Sequence, residues 1–454
     1  MKGYSFTAAS GVGNATGANF LVKTPDLSFL VDCGLVQGSQ FAAEENREAF
    51  IYRAADIRFL FVTHAHMDHV GRIPKLVKEG FSGTIYSTPE TKELAALMLD
   101  DAVTLLEREA KEKKLDPIYN REDIGRAMGL WKTIEYHVQT EITSDISVFL
   151  KDAGHVLGSS IVEITLKGLG KKLAFTGDLG NSPTPLLRDT EYVTDADYMI
   201  MESVYGDRNH EPKDVRDERL KQILQKTLGR GGTAVIPAFS LERTQVILFE
   251  IHRLFEENAL PRVPVFLDSP LGMKITSVYE RYVRDFNDER KQEIAKEGNL
   301  FDFPGLKIIG SHQESESVDR ITGPKIIIAG SGMSVGGRVL HHEKFFLGDP
   351  NATILLVGYQ VPGSAGRQIE DRAKKIVLDG SYVKIRAEIE KISGYSSHKD
   401  SDHLVEFVSH ALPKVQKIFI AMGETKSSAF LAQRIRDEIG GNALVPEKGK
   451  EYIL

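Results

Sequence analysis

The stretch Phe59-Leu60-Phe61-Val62-Thr63-His64-Ala65-His66-Met67-Asp68-His69-Val70-Gly71 decides how this chain is read. Residues 59–62 form an apolar run, the pattern of a buried strand. The run stops at His64, and four metal-capable side chains follow within six residues: His64, His66, Asp68 and His69. A lone histidine is usually an ordinary polar or core residue. Imidazole and carboxylate at this density, at the mouth of a strand, are instead the donor chemistry of a hydrolytic zinc site. His64 and His66, two apart on an extended loop, can face one ion. Asp68 and His69, at the following turn, can face a second.

Working outward, such a centre needs a third histidine and a carboxylate that bridges the ions. His155 lies in a turn between Gly154 and Gly158, and Asp178 follows Thr176-Gly177 at the end of an apolar run. Alone, each reads as a turn residue; beside the 64–69 cluster, each becomes a candidate ligand. Two ions about 3.5–4 Å apart lower the pKa of a shared water and clamp both oxygens of an in-line displacement. Asp32 ends a short strand over residues 28–31 and precedes Cys33-Gly34. It is either a turn former or an orienting partner for ligands.

Composition narrows the chemistry. The chain has 454 residues, enough for two or three cores. Hydrophobic residues make up 41% and charged residues 27%, and no apolar run reaches membrane-spanning length. The opening residues lack a basic region followed by an apolar core, so no secretory signal is expected. Cys33 is the only cysteine. That excludes an intrachain disulfide and a multi-thiolate metal site, and it fits a cytoplasmic protein. The net charge of −7 argues against sequence-blind nucleic-acid binding over the whole surface, but leaves room for a local cationic channel.

Along the chain, short strands and Gly-rich turns fill the first 200 residues, with a long helix from Pro89 to about residue 114 and a second helix near 122–132. Strands near 146–150, 161–166, 172–175 and 198–201 follow, the last ending in Glu202. From 212 to about 386, helix and strand alternate, the pattern of parallel strands with crossover helices. Ligand-binding residues in such sheets sit beyond the strand carboxyl ends, which here carry Ser240, Asp268, Ser331 and Tyr359-Gln360. After 386 the short-strand pattern returns, with Ser397-His398 in a loop.

The ordered set His-Ala-His-Met-Asp-His, a later lone His and a later Thr-Gly-Asp resembles the metallo-β-lactamase superfamily, and Asp32 matches its first motif. The resemblance extends to the β-CASP branch, nucleases related to the pre-mRNA cleavage-and-polyadenylation endonuclease. Glu202 in Glu-Ser-Val-Tyr-Gly-Asp-Arg and His398 in Gly-Tyr-Ser-Ser-His-Lys-Asp match two motifs of that branch. Pro237-Ala238-Phe239-Ser240 with Arg243, and Ser331-Gly332-Met333-Ser334 with Arg338, match its inserted cassette.

The resemblance implies an α/β fold: a metallo-β-lactamase αββα sandwich over residues 1–207 and 387–454, with a parallel-sheet β-CASP domain inserted over 208–386. It implies phosphodiester hydrolysis on single-stranded RNA by two Zn2+ ions, held by His64, His66, Asp68, His69, His155 and Asp178. Catalysis would use Asp32, Asp68, Glu202 and His398, with Glu202 orienting His398 as proton donor to the leaving oxygen. Arg243, Ser331, Ser334, Arg338 and Arg367 are the candidates for contacting backbone phosphates. A homodimer is compatible with the sequence.

One position departs from the pattern. The branch places a His before Gly-Glu as a ligand to the second zinc, whereas this chain reads Ala421-Met422-Gly423-Glu424. A thioether is a poor zinc partner beside carboxylates, so the second site is expected to be weaker. DNA-directed members carry an apolar residue there, which keeps DNA as an alternative substrate and a catalytically weak RNA-binding scaffold as another. The Glu-Ser-Val-Tyr-Gly-Asp-Arg segment resembles the RNA-directed members more closely.

Overall fold

The computed structural model describes residues 3–38, 41–358, 360, 363–378, 380–412 and 414–454. Tyr359, one of the strand-end residues named above, lies outside the described residues. The chain divides into two compact units, one comprising Met1–Asn209 and Ser397–Leu454, the other His210–Ser396.

The first unit is built on two seven-stranded sheets. One runs Glu451–Ile453, Ser5–Ser10, Asn19–Lys23, Ser28–Val31, Ile57–Phe61, Thr84–Ser87 and Trp131–Thr133 in spatial order. The other runs Ala443–Leu444, Lys417–Ile420, Tyr198–Met201, Lys171–Phe175, Ser160–Leu166, Ile146–Asp152 and Thr140–Glu141. Their facing side chains form one apolar layer that includes Phe6, Phe20, Phe61, Phe175 and Phe419. Aromatic contacts stitch it together: the Phe6 and Phe419 centroids lie 4.6 Å apart, those of Phe20 and Phe175 6.2 Å. Each such pair contributes about 0.5–1.5 kcal/mol beyond its area burial. Helices Ser401–Ser409 and Thr425–Ile439 cover the outer face of the second sheet through Leu404, Phe407, Leu431 and Ile435.

The parallel strands Ser28–Val31 and Ile57–Phe61 end side by side. Their carboxyl ends release Asp32 and the 62–66 loop at one edge of the sheet. The short helix Met67–Val70 then folds back on them. Gly34 makes that return possible: a Cβ there would sit 1.5 Å from the Asp68 carbonyl oxygen. Four backbone bonds lock the loop: Asp32 N–H to Phe61, Cys33 N–H to His69, Ala18 N–H to Asp68 and Leu35 N–H to Met67.

The second unit holds a six-stranded parallel sheet in the order Leu306–Ile308, Val265–Asp268, Lys325–Ala329, Thr233–Pro237, Thr353–Leu356 and Glu388–Lys391. Its central strands are buried from end to end, as a sheet covered on both faces requires. The sequence pattern places a helix near 122–132; the structure ends it at Gly129 and begins the strand Trp131–Thr133, because Trp131 buries into the sheet and its indole N–H bonds the Ser87 hydroxyl at 2.8 Å.

Candidate metal centre

Every side chain at the candidate centre belongs to the first unit. His64 and His69 are fully buried, and Thr63 sits at their hub. The Thr63 hydroxyl donates to Asp32 Oδ2 at 2.8 Å and lies 3.1 Å from His64 Nδ1 and 3.3 Å from His69 Nδ1. The Thr63 backbone N–H donates to Asp32 Oδ1 at 2.8 Å. Gly177 leaves space for this hub, since a Cβ there would approach the Thr63 Cβ to 2.7 Å, and its φ of +54° suits glycine. Sequence reasoning assigned Thr63 nothing; its role depends on a long-range approach that no local spacing reveals.

Asp32 does not stand with the metal-capable groups. Its Oδ2 lies 2.7 Å from His69 Nδ1, which leaves His69 Nε2 directed toward Asp178. This carboxylate–imidazole pairing fixes which ring nitrogen remains free. With no cation between them, burial disfavours a charged His69, but Asp178 and Asp32 outweigh it and raise its pKa well above the usual value; a cation bound at Nε2 would displace that proton.

Two donor groups meet at Asp178. His64, His66, His155 and Asp178 form one, and Asp68, His69 and Asp178 the other, each with its ligand atoms within 4.8 Å of one another. Asp178 Oδ2 faces the first, 3.4 Å from His64 Nε2 and 3.5 Å from His155 Nε2; Oδ1 faces the second, 3.4 Å from His69 Nε2. In the first group His66 Nδ1 lies 3.2 Å from both His64 Nε2 and His155 Nε2. His155 is positioned from behind by the Ser397 carbonyl, 3.2 Å from its Nδ1.

These groups fit a bound cation. His69 Nε2 and Asp178 Oδ1 are buried with no hydrogen-bond partner, a costly arrangement unless an ion completes it. Burial also drives His66 and His155 well below the ordinary imidazole pKa, so both are neutral and their lone pairs are available. Nitrogen and oxygen donors of this kind suit zinc among the divalent ions.

A third group, Asp178, Glu202 and His398, borders the first two. His398 enters on a short bridge to Gly180, reinforced by Lys399 N–H to the Leu179 carbonyl. Its Nδ1 lies 3.1 Å from Glu202 Oε2 and 3.9 Å from Asp178 Oδ2. Burial opposes the charged form, but Glu202 and Asp178 prevail and raise the His398 pKa to about 9. The Leu179 backbone N–H donates to Glu202 Oε1 at 2.6 Å and holds that carboxylate in place. His398 keeps 20% of its side chain exposed, against 0% for Glu202, so the imidazole is the accessible member of the pair. Tyr205 packs beside it with ring centroids 6.1 Å apart, and Arg208 lies 5.2 Å over the Tyr205 ring. The sequence reading quoted this segment without giving Tyr205 a part.

Met422 is 2% exposed and belongs to the apolar layer between the sheets. Its sulfur packs over Gly11, where a Cβ would come within 2.8 Å of it. Its backbone has φ of 46°, and its N–H donates to the Gly11 carbonyl at 2.8 Å.

The candidate phosphate-contacting residues all fall in the second unit. Arg243 is buried, pairs with Glu242 at 3.3 Å and sits 5.7 Å over the Tyr395 ring. Arg338 bonds Asp268 and the carbonyls of Ile309 and Gly310. Arg367 pairs with Asp371 at 3.1 Å. The Ser331 hydroxyl closes its own loop by bonding both N–H and C=O of Val335, and that of Ser334 donates to the buried Glu343.

Residues 15–228 match the metallo-β-lactamase superfamily, residues 244–369 the Beta-Casp domain, and residues 382–446 the Zn-dependent metallo-hydrolase RNA specificity domain. A ribonuclease of Thermus thermophilus is 35% identical over 393 residues, covering 87% of this chain and 88% of that one. This chain belongs to the β-CASP branch of the metallo-β-lactamase superfamily. Among other relatives, the transcription termination factor FttA of Methanosarcina mazei is 31% identical over 94% of this chain and 68% of its own length, and that of Methanocaldococcus jannaschii is 30% identical over 94% and 68%. A protein of unknown function from Enterococcus faecalis shares the fold, with a TM-score of 0.59 at 12% identity over the whole of both chains. As a β-CASP protein, the chain belongs to a superfamily of divalent-metal hydrolases, and the two donor groups joined at Asp178 lie within its metallo-β-lactamase segment. Among the described residues no helix is long and apolar enough to cross a membrane.

Proposed function

We propose that this chain is a zinc-dependent ribonuclease that hydrolyses phosphodiester bonds in single-stranded RNA. The observation that carries the proposal is Asp178, whose two oxygens each face a separate donor group while His398 stands at the border. The family membership and the ribonuclease of Thermus thermophilus among its relatives support RNA as the polymer. His64, His66, His155 and Asp178 would hold one zinc, and Asp68, His69 and Asp178 the other. Zinc bound there would activate water at neutral pH and stabilise the negative charge that develops on the phosphoryl group.

The chain's own residues complete the chemistry. With a pKa near 9, His398 carries a proton at neutral pH and can give it to the departing oxygen. Glu202 accepts from Nδ1 of that ring, so the proton is donated from Nε2. Asp32 and Thr63 orient His69 and His64. The proposal assigns residues 1–209 and 397–454 to the hydrolytic domain and 210–396 to the inserted one, ten residues beyond the bound at 386 expected above, because Glu388–Lys391 pairs into the inserted sheet.

Incubating end-labelled single-stranded RNA with zinc-loaded protein and with His64→Ala tests this reading. Product is expected from the wild type alone, with matched DNA cut more slowly. Equal product from both proteins, or none from either, overturns it. Met422 supports the second reading, a DNA-directed nuclease, and a large rate excess on the DNA strand would establish that ordering.

A further inference from the structure

Parallel sheets bury their aromatic residues, and the inserted unit does so almost throughout: Phe249, Phe255, Phe266, Phe286, Phe301 and Phe303 are all buried. Phe239 is an exception, as are Phe345 and Tyr382. Phe239 lies just past the carboxyl end of Thr233–Pro237, a central strand of the sheet, and is 36% exposed. Exposed apolar side chains scattered singly are ordinary, so exposure by itself assigns nothing.

The way the ring is held is specific. One edge lies against two loop glycines. A Cβ on Gly332 would fall 2.8 Å from Phe239 Cδ2 and 3.0 Å from Cε2, and a Cβ on Gly358 would fall 3.3 Å from Cε2. The fully buried Gln360 amide ties these loops together, its Nε2 donating to the Gly332 carbonyl at 2.9 Å and the Gly358 carbonyl at 3.2 Å. The Phe239 backbone is fixed as well, since its carbonyl accepts from the Thr244 hydroxyl at 2.7 Å and the Thr244 N–H at 3.1 Å. Two glycines and a buried amide thus clamp one edge of an aromatic ring that stays open to solvent. A side chain that merely filled space would need no such clamp.

We propose that Phe239 is a stacking platform for one nucleobase of the bound RNA, a proposal that rests on the ribonuclease reading above. The carboxyl ends of parallel strands are where such sheets take ligands. A fixed aromatic face suits any base, because every base presents a π-face, and it needs no hydrogen-bond readout. The ring's fixed orientation reduces the ordering cost of binding. Phe239 therefore sets where one nucleotide sits without selecting which base it is.

The test walks a single abasic ribose along a short oligoribonucleotide and measures KM with zinc-loaded wild type, Phe239→Leu and Phe239→Trp. Leucine keeps the apolar bulk and removes the π-face; circular dichroism and thermal melting establish that each variant folds. For the wild type, one abasic position is expected to raise KM roughly 5- to 100-fold. Phe239→Leu should raise KM for the intact oligonucleotide by a similar factor and become insensitive to that abasic position, while Phe239→Trp restores the wild-type profile. An unchanged KM for Phe239→Leu, or the same abasic sensitivity in wild type and Phe239→Leu, overturns the platform and leaves the ribonuclease reading standing. A wild type that cuts no RNA overturns both.

Discussion

Three imidazoles, His64, His66 and His155, converge in the hydrolytic unit, whereas in the inserted unit a single imidazole, His342, has a carboxylate at each nitrogen, as His69 has in the first. In the first cluster His66 Nδ1 lies 3.2 Å from two other ring nitrogens, and His69 Nε2 and Asp178 Oδ1 lack hydrogen-bond partners. In the second, His342 Nδ1 is 2.6 Å from Asp319 Oδ1 and its Nε2 is 2.8 Å from Asp268 Oδ2. Asp268 also accepts from Ser315 and Arg338, and Asp319 is approached by His341 at 2.9 Å. Both clusters are buried and rich in titratable groups. In the second, a carboxylate answers each nitrogen of His342, although Asp319 Oδ2 too lacks a hydrogen-bond partner; in the first, burial lowers the pKa of His64, His66 and His155, and their nitrogens converge on one another and call for a cation. Burial of ionisable groups therefore does not identify a reactive centre; several neutral donors converging on one point do.

The sharpest way to break that contrast is to remove one carboxylate from each cluster. Asp178→Ala takes a donor from both groups at once, so bound metal should fall below one equivalent and ribonuclease activity should disappear, read by elemental analysis and by cleavage of labelled RNA. Asp319→Asn should leave metal content unchanged. Loss of metal from Asp319→Asn, or two full equivalents in Asp178→Ala, would erase the distinction.

The next effect is on stability. Burial works against a charged His342, but its hydrogen bonds and charge pairing with Asp268 and Asp319 raise its pKa to about 9. A histidine with a raised folded pKa adds stability that is complete below the unfolded value near 6.5 and is lost as pH climbs through 9. The loss is on the order of 3 kcal/mol. The urea midpoint of the inserted unit, followed by circular dichroism, should thus fall between pH 7 and pH 9.5, and His342→Gln should flatten that slope while lowering the midpoint at pH 6. A wild-type midpoint that holds steady over this range would place a neutral imidazole in the cluster.

Local spacing made the 64–69 cluster legible, because four donors within six residues need no knowledge of the fold. His155 and Asp178 became legible only in its light, each being a lone residue between glycines. The alternating helices and strands of the inserted unit followed from periodicity, since buried parallel strands read as continuous apolar runs. Periodicity gave no purchase on residues 285–324. The helix Asp288–Glu297 is almost wholly polar, and Leu306–Ile308 is a half-exposed edge strand. Arg338 illustrates a different limit. Its partners Asp268, Ile309 and Gly310 lie 70, 29 and 28 positions away, so its ties within its own unit could not be read from local spacing. Thr63 is the converse, a small hydroxyl whose position joins three functional side chains.

The smallest predicted effect concerns Met422, where the two kinds of environment meet at one residue. Its thioether lies in the apolar layer, packed over Gly11, yet its backbone neighbours feed the centre, since its carbonyl accepts from Ser203 N–H at 3.1 Å, one residue from Glu202. Among the described residues the second donor group has Asp68, His69 and Asp178, one fewer than a closed four-coordinate site. Met422→His should therefore tighten binding of the second zinc by about tenfold, read by competition with a chelating dye, and should lower the melting temperature of the metal-free protein, because an imidazole in that apolar layer lacks a polar partner. The two effects have opposite signs only if residue 422 can reach the centre. A lower melting temperature with unchanged zinc affinity would assign Met422 wholly to the core and leave the second site with the three donors it has.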